Sequence, residues 1–213
     1  MLNKLFYKTI ITTSEYEIPK VKWSRFIGNI FHIEDKEDII THLKYIEQKH
    51  PDATHHCFAY KYEIQMNLDI FWTPIYTSKY TKVSDAGEPA STAGKPILNA
   101  IEKHELHNIL IVISRYFGGT LLGVGGLVKA YGEAAKQVIE HANIIDTEIM
   151  RTIKFNYSFD LVPMVRNICS KYGVKTIEEE YDKEVEGKIR INSWYVEGFK
   201  KELADKSKGV IRL

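Results

Sequence analysis

The chain has 213 residues, 44% of them hydrophobic and 27% charged, a balance that supports a packed core rather than disorder as the default reading. Lysine plus arginine total 29 against 28 aspartate plus glutamate, with zero net charge over residues 1–143 and +1 over the remainder. That excludes the broad basic field of a typical nucleic-acid-binding domain and leaves room only for a local patch. The two cysteines, Cys57 and Cys169, form no CxxC pair and read as reduced thiols of an intracellular protein. The segment Met1–Lys8 lacks the long apolar stretch of a secretion signal. No run approaches the roughly 18 apolar residues of a membrane span, so a cytoplasmic protein without a membrane partner is expected.

In chain order, residues 6–32 alternate and are rich in aromatic and β-branched residues, which predicts two strands or a hairpin. Residues 35–49 predict a helix with an acidic start at Asp35, Glu37 and Asp38 and an apolar face of Ile39, Ile40, Leu43 and Ile46. His55–Tyr62 reads as a strand. The aromatic stretch 64–83, with Phe71, Trp72, Tyr76 and Tyr80, reads as a loop holding at most one strand. Residues 92–104 predict a helix capped by Ser91 or Thr92. Asn108–Ser114 is continuously apolar and predicts a strand buried on both faces. A glycine loop at 116–126 leads into a helix over 126–142. Beyond Asn143 the order is strand (147–158), helix (161–172), strands (174–182 and 187–196), helix (197–206) and a last strand, Val210-Ile211-Arg212. This is the βαββαβ order of a ferredoxin-like unit.

Eight of the 13 glycines lie between residues 87 and 132. Because glycine permits positive φ and close backbone approach, they mark one region of special backbone. Two segments hold most of them, Ser84-Asp85-Ala86-Gly87-Glu88-Pro89-Ala90-Ser91-Thr92-Ala93-Gly94-Lys95-Pro96 and Arg115-Tyr116-Phe117-Gly118-Gly119-Thr120-Leu121-Leu122-Gly123-Val124-Gly125-Gly126-Leu127-Val128-Lys129-Ala130-Tyr131-Gly132. Together with Ser24-Arg25-Phe26-Ile27 and Ala53-Thr54-His55-His56-Cys57-Phe58-Ala59-Tyr60, these resemble the signatures of the Impact (YigZ-like) family. The chain departs from them at Ala86, where the family often has a second acidic residue or asparagine, and at Ala90-Ser91, where Ser-Gly is common.

The resemblance implies an α+β protein: a ribosomal-protein domain-2-like βαβ sandwich over residues 1–143, then a small ferredoxin-like domain over 144–213 similar to domain V of elongation factor G. It also implies translation regulation, since eukaryotic relatives compete for an activator of a stress-responsive initiation-factor kinase. It implies no particular reaction and no cofactor. The expected partners are RNA, the ribosome or translation factors, met at a glycine-rich cleft between the two segments.

Several side chains there could carry chemistry. The backbone N–H groups of Gly118, Gly119, Gly123, Gly125 and Gly126, flanked by Lys95, Arg115 and Lys129, could hold a phosphate of a nucleotide or an RNA backbone. The same glycines could instead serve only turns and packing. Neither a P-loop nor a dinucleotide fingerprint fits, because Pro89 stands where Walker A needs glycine and Pro96 follows Lys95. Asp85 and Glu88 could act as acid and base on a small phosphorylated substrate, in a hydrolase or phosphoryl-transfer enzyme, or could satisfy backbone N–H groups and basic partners. His55 and Cys57 share one strand face. They are too few for a zinc site, and Cys57 is either a nucleophile or small core filling. Thr92 reads as a cap rather than a nucleophile. Tyr116, Phe117 and Tyr131 could stack on single-stranded RNA, with the 71–80 aromatics, Lys79 and Lys82 bordering the same cleft. In the second unit, Glu178-Glu179-Glu180 and Asp182 read as a charged strand edge, and Trp194 and Tyr195 are the candidates for RNA contact on an open sheet.

Overall fold

The computed structural model describes residues 6–68, 74–174 and 176–211. The fold is α+β, in two compact units, the first Tyr7–Thr147 and the second beginning at Glu148. Each is described by itself.

The first unit is built on strands β1 (Phe6–Ile10), β2 (Ser14–Val21), β3 (Ser24–His32), β4 (His55–Leu68), β5 (Pro74–Ser84), β6 (Ile109–Tyr116) and β7 (Ile144–Glu148), with helices α1 (Lys36–Lys49), α2 (Gly94–Lys103) and α3 (Gly123–Glu140). Five strands form one sheet in the order β2-β3-β6-β4-β5, while β1 and β7 pair separately. Every neighbouring pair in the five-stranded sheet is antiparallel. The apolar run of β6 is therefore the middle strand. It is buried on both faces, as expected, although the sheet is not parallel: helices cover both sides. Leu110 and Val112 point to α1 with Phe31, Ile39 and Ile46. Ile111 and Ile113 point to α2 and α3 with Ile97, Ile101, Ala134 and Val138. Gly28 lets α3 approach closely, since a Cβ there would lie 3.1 Å from both Ile113 Cδ1 and Val138 Cβ.

Local chemistry sets several boundaries. Asp35 caps α1, its Oδ1 accepting from the N–H groups of Glu37 at 2.8 Å and Asp38 at 2.9 Å. Val21 pairs with Ser24 across a two-residue turn, and both turn residues, Lys22 (φ 46°) and Trp23 (φ 70°), are left-handed. This is the geometry of a type I′ hairpin turn, where Asn-Gly is usual. Residues 64–68 and 74–83 belong to the long β4–β5 hairpin rather than to a loop, and Phe71 and Trp72 lie outside the described residues. Tyr80 and Lys82 pair with Tyr62 and Tyr60, whose rings belong to the cluster under α1. They therefore lie on the face opposite α2 and α3 and do not border the glycine segments.

The second unit comprises β8 (Met150–Tyr157), α4 (Val162–Lys171), β9 (Thr176–Tyr181), β10 (Val185–Asn192) and α5 (Val196–Lys206). Its strands pair antiparallel in the order β8-β10-β9, the arrangement of three strands of a ferredoxin-like sheet. Of the last expected strand, Val210 and Ile211 are not in strand conformation and Arg212 lies outside the described residues. The acidic run falls on β9, at the edge of the described sheet. Trp194 and Tyr195 stand in a short 3-10 turn after β10, off the sheet surface, because the chain has already left the strand at Ser193.

Glu179 ties this unit together. It accepts hydrogen bonds from Arg166, Tyr181 and Tyr157, and Arg166 first, with the two phenols, holds its carboxyl down to about 2 against desolvation. A depressed carboxylate stabilises the fold above its ordinary titration range, and that contribution is lost as pH falls from about 4.5 toward 2. Glu179→Gln is expected to flatten the acid limb of stability over that interval, measured as the urea midpoint against pH. An unchanged acid limb would refute the assignment.

Candidate functional site

The two glycine-rich segments meet on the α2–α3 side of the sheet, joined by a buried polar knot. Glu88, whose side chain is 4% exposed, stands at its centre. Its Oε1 accepts from Arg115 Nη1 at 2.6 Å and from Tyr131 O–H at 2.7 Å. Strand β6 delivers Arg115 from its last turn of pleat, α3 delivers Tyr131 from its inward face, and the turn after β5 delivers Glu88. His55 Nε2 lies 3.9 Å from the same oxygen. Since His55 Nδ1 sits 2.9 Å from the Ala86 carbonyl, which can only accept, Nδ1 carries a proton.

Arg115 is not an exposed anion ligand. It is buried, held also by Ser24 Oγ at 3.3 Å and packed over the rings of Phe26 and Phe117. Its cation is matched by Glu88, as an interior guanidinium must be. Sequence reasoning missed Ser24 and Thr54, which pin the start of the glycine loop: Gly118 N–H donates to Ser24 Oγ at 3.1 Å and Phe117 N–H to Thr54 Oγ1 at 3.1 Å. The only sequence signal was that both lie in the motif strands. Gly118 must be glycine because its Cβ would fall 2.1 Å from the Trp23 carbonyl carbon.

Asp85 takes the N-terminus of α2. Its carboxylate accepts from Ser91 N–H at 2.8 Å, Ala93 N–H at 3.0 Å and Gly94 N–H at 2.9 Å. Burial pushes the Asp85 carboxyl up, but these three donors outweigh it and the net shift is downward. Neither Ser91 nor Thr92 caps the helix; Thr92 O–H donates instead to the Pro89 carbonyl at 2.7 Å, because Asp85 already serves the free N–H groups. The anion position at the start of α2 is thus filled from within the chain.

Cys57 is fully buried, and its thiol donates to the Asp85 carbonyl at 2.9 Å. Burial above all pushes the thiol up to about 12, so it is a neutral donor in the core rather than a thiolate nucleophile. His56, on the opposite strand face, meets Ser114 Oγ at 2.9 Å. Tyr131 is fully buried and Tyr116 is engaged by His50 and Arg25, so of the three candidate stacking rings only Phe117 is well exposed. Among the described residues no three His, Cys, Asp or Glu side chains are grouped to hold a metal.

The start of α3 is different. Gly123, Gly125 and Gly126 are its first turn rather than a loop before it, and no side chain caps that turn. Gly119, Gly123 and Gly125 face open space, and Lys95 and Lys129 are exposed. Pro96, next to Lys95, lies 3.8 Å from the Cβ position of Gly132, so the first turn of α2 packs toward α3 near Gly132.

Glu88→Gln keeps the hydrogen-bonding shape but strands the Arg115 charge, and is expected to destabilise the fold by about 3–5 kcal/mol, read from the urea midpoint at constant m. Adding Arg115→Met should recover part of that loss. Additive costs would show that the two groups are not coupled.

A model of the Impact N-terminal domain matches residues 22–139. Nearly the whole chain is similar to an IMPACT family member of Haemophilus influenzae, 36% identical over 207 residues that cover 92% of this chain and 94% of the relative. It is also similar to the IMPACT family member YigZ of Escherichia coli, 30% identical with 92% and 91% covered. A crystal structure described as that of a hypothetical protein superposes with a TM-score of 0.72 at 27% identity, covering 99% of this chain and 97% of that one. The matched span contains every residue of the Glu88–Arg115–Tyr131 knot and both glycine-rich segments, and the chain belongs to the Impact family.

Proposed function

We propose that this chain is a cytoplasmic translation-regulatory binding protein that meets RNA or proteins of the translation machinery at the glycine loop and first turn of α3. The observation that carries the reading is Gly125. It sits inside a helix with no positive φ to require glycine and nothing within 4 Å of its Cβ position. Even in this first turn glycine is less favourable than alanine, by up to about 1 kcal/mol, and it serves no contact of the fold. Close approach by a partner is the remaining use for it. The uncapped N–H groups around it and the exposed Lys95 and Lys129 favour an anionic group on that partner. The ferredoxin-like second unit, which the family resemblance likens to domain V of elongation factor G, also supports a place in translation.

The competing reading, a hydrolase or phosphoryl-transfer enzyme using Asp85 and Glu88, meets both carboxylates already engaged: one with the end of α2, the other with Arg115 and Tyr131. It is therefore the weaker one.

Gly125→Ala separates ligand use from folding. It is expected to raise stability by up to about 1 kcal/mol while weakening salt-sensitive co-sedimentation with ribosomal particles. Unchanged co-sedimentation in the more stable variant, or none for the wild-type chain, would overturn the reading.

A further inference from the structure

The outer face of α3's first turns is apolar. Val124 and Val128, 63% and 39% exposed, lie one turn apart on α3 and make a short apolar stripe; Leu121, 81% exposed, stands two residues before the helix, ahead of the left-handed Gly123. The β2–β3 turn abuts the loop that leads into it, since the Gly118 Cβ position falls against the Trp23 backbone. That turn displays Trp23, 76% exposed, and Phe117 beside it is 45% exposed. Trp23 is doubly costly where it stands, because its φ of 70° is a region that bulky residues avoid and its indole gains no burial. Exposed apolar side chains gathered on neighbouring segments in this way mark a contact surface, and an exposed tryptophan is the usual anchor of one.

The rim is cationic. Lys22 is the other turn residue, Lys129 follows Val128 on α3, and Lys95 stands in the first turn of α2, whose Pro96 packs toward Gly132 of α3. None of the three makes an ion pair among the described residues. The nearby carboxylates are committed elsewhere, Glu17 to Arg25 and Glu133 to Gln137. A second copy of the chain would set lysine rims against each other. Single-stranded RNA would find stacking planes in Trp23 and Phe117 but none in Leu121, Val124 and Val128, the aliphatic part that an amphipathic helix would cover.

Resting on the binding reading above, we propose that this surface receives an acidic amphipathic helix of a protein partner. Its apolar face would lie along Leu121, Val124 and Val128 against Trp23, and its carboxylates would meet Lys22, Lys95 and Lys129.

The test uses the full chain and a fluorescein-labelled 18-residue peptide with leucines at helical spacing and glutamates elsewhere. A lysine-for-glutamate version and a 12-nucleotide single-stranded RNA serve as controls, all by fluorescence anisotropy. The acidic peptide should bind. Its affinity should fall at least tenfold in Leu121→Ser/Val124→Ser and in Trp23→Gly, and Trp23→Gly should melt no lower than wild type because glycine suits its φ. No binding of the acidic peptide, equal binding of the basic one, or indifference to these variants would overturn the proposal. So would RNA binding lost in the same variants, or a dimer in sedimentation velocity that Leu121→Ser/Val124→Ser disperses. Parallel co-sedimentation with ribosomal particles keeps the two ideas apart. Peptide binding without co-sedimentation sinks only the translation reading, and co-sedimentation that survives these variants sinks only the helix-docking surface.

Discussion

Placing a carboxylate and a guanidinium together in an interior is unfavourable unless each finds the other and their remaining hydrogen-bonding positions are filled. In this chain Glu88 and Arg115 find each other, and Tyr131 and Ser24 fill further positions, while Arg115 Nε is buried without a partner among the described residues. Their pairing fastens the turn after β5 to the end of β6 and to the inner face of α3. Both glycine-rich segments are fixed by it: one is threaded past Asp85 into α2, the other is turned over Ser24 into α3. The residues that look most chemical are, for the most part, those that build the frame, and the frame leaves its glycines and apolar side chains outside.

This division explains why two helix N-termini with similar glycine-rich approaches differ. At α2 the partial positive charge of the free N–H groups is met by Asp85, a carboxylate from the same chain. At α3 no side chain performs that service. One end is a structural joint and the other is presented outward.

Much of the fold was legible in the sequence because its signals are local and periodic. The acidic start of α1, the continuous apolar run of β6 and the strand-helix-strand-strand-helix order of the second unit all follow from residues close in sequence. What escaped were contacts made across the chain. The cap of α2 lies eight and nine residues before the N–H groups it serves, so Ser91 and Thr92, adjacent to the helix, drew the assignment instead. Tyr80 and Lys82 seemed to border the glycine segments by proximity in sequence, yet strand alternation and the register with Tyr60 and Tyr62 put them on the opposite face. Arg115 read as an available cation because its partner is 27 residues away. The turn at Lys22–Trp23 carries no Asn-Gly, so no turn residue announced it. Within the candidate site, the glycines were visible and the exposed apolar side chains were not, since Leu121, Val124 and Val128 are ordinary apolar residues until their burial is known.

The strand order β2-β3-β6-β4-β5 has a further consequence for how the chain comes together during synthesis. Two hairpins, β2–β3 and β4–β5, emerge first but are not neighbours in the finished sheet; the strand that belongs between them is made later. Until residues 109–116 leave the ribosome, both hairpins carry an unsatisfied edge where β6 will sit. The first unit therefore closes late and by insertion, with its middle strand added after its flanks.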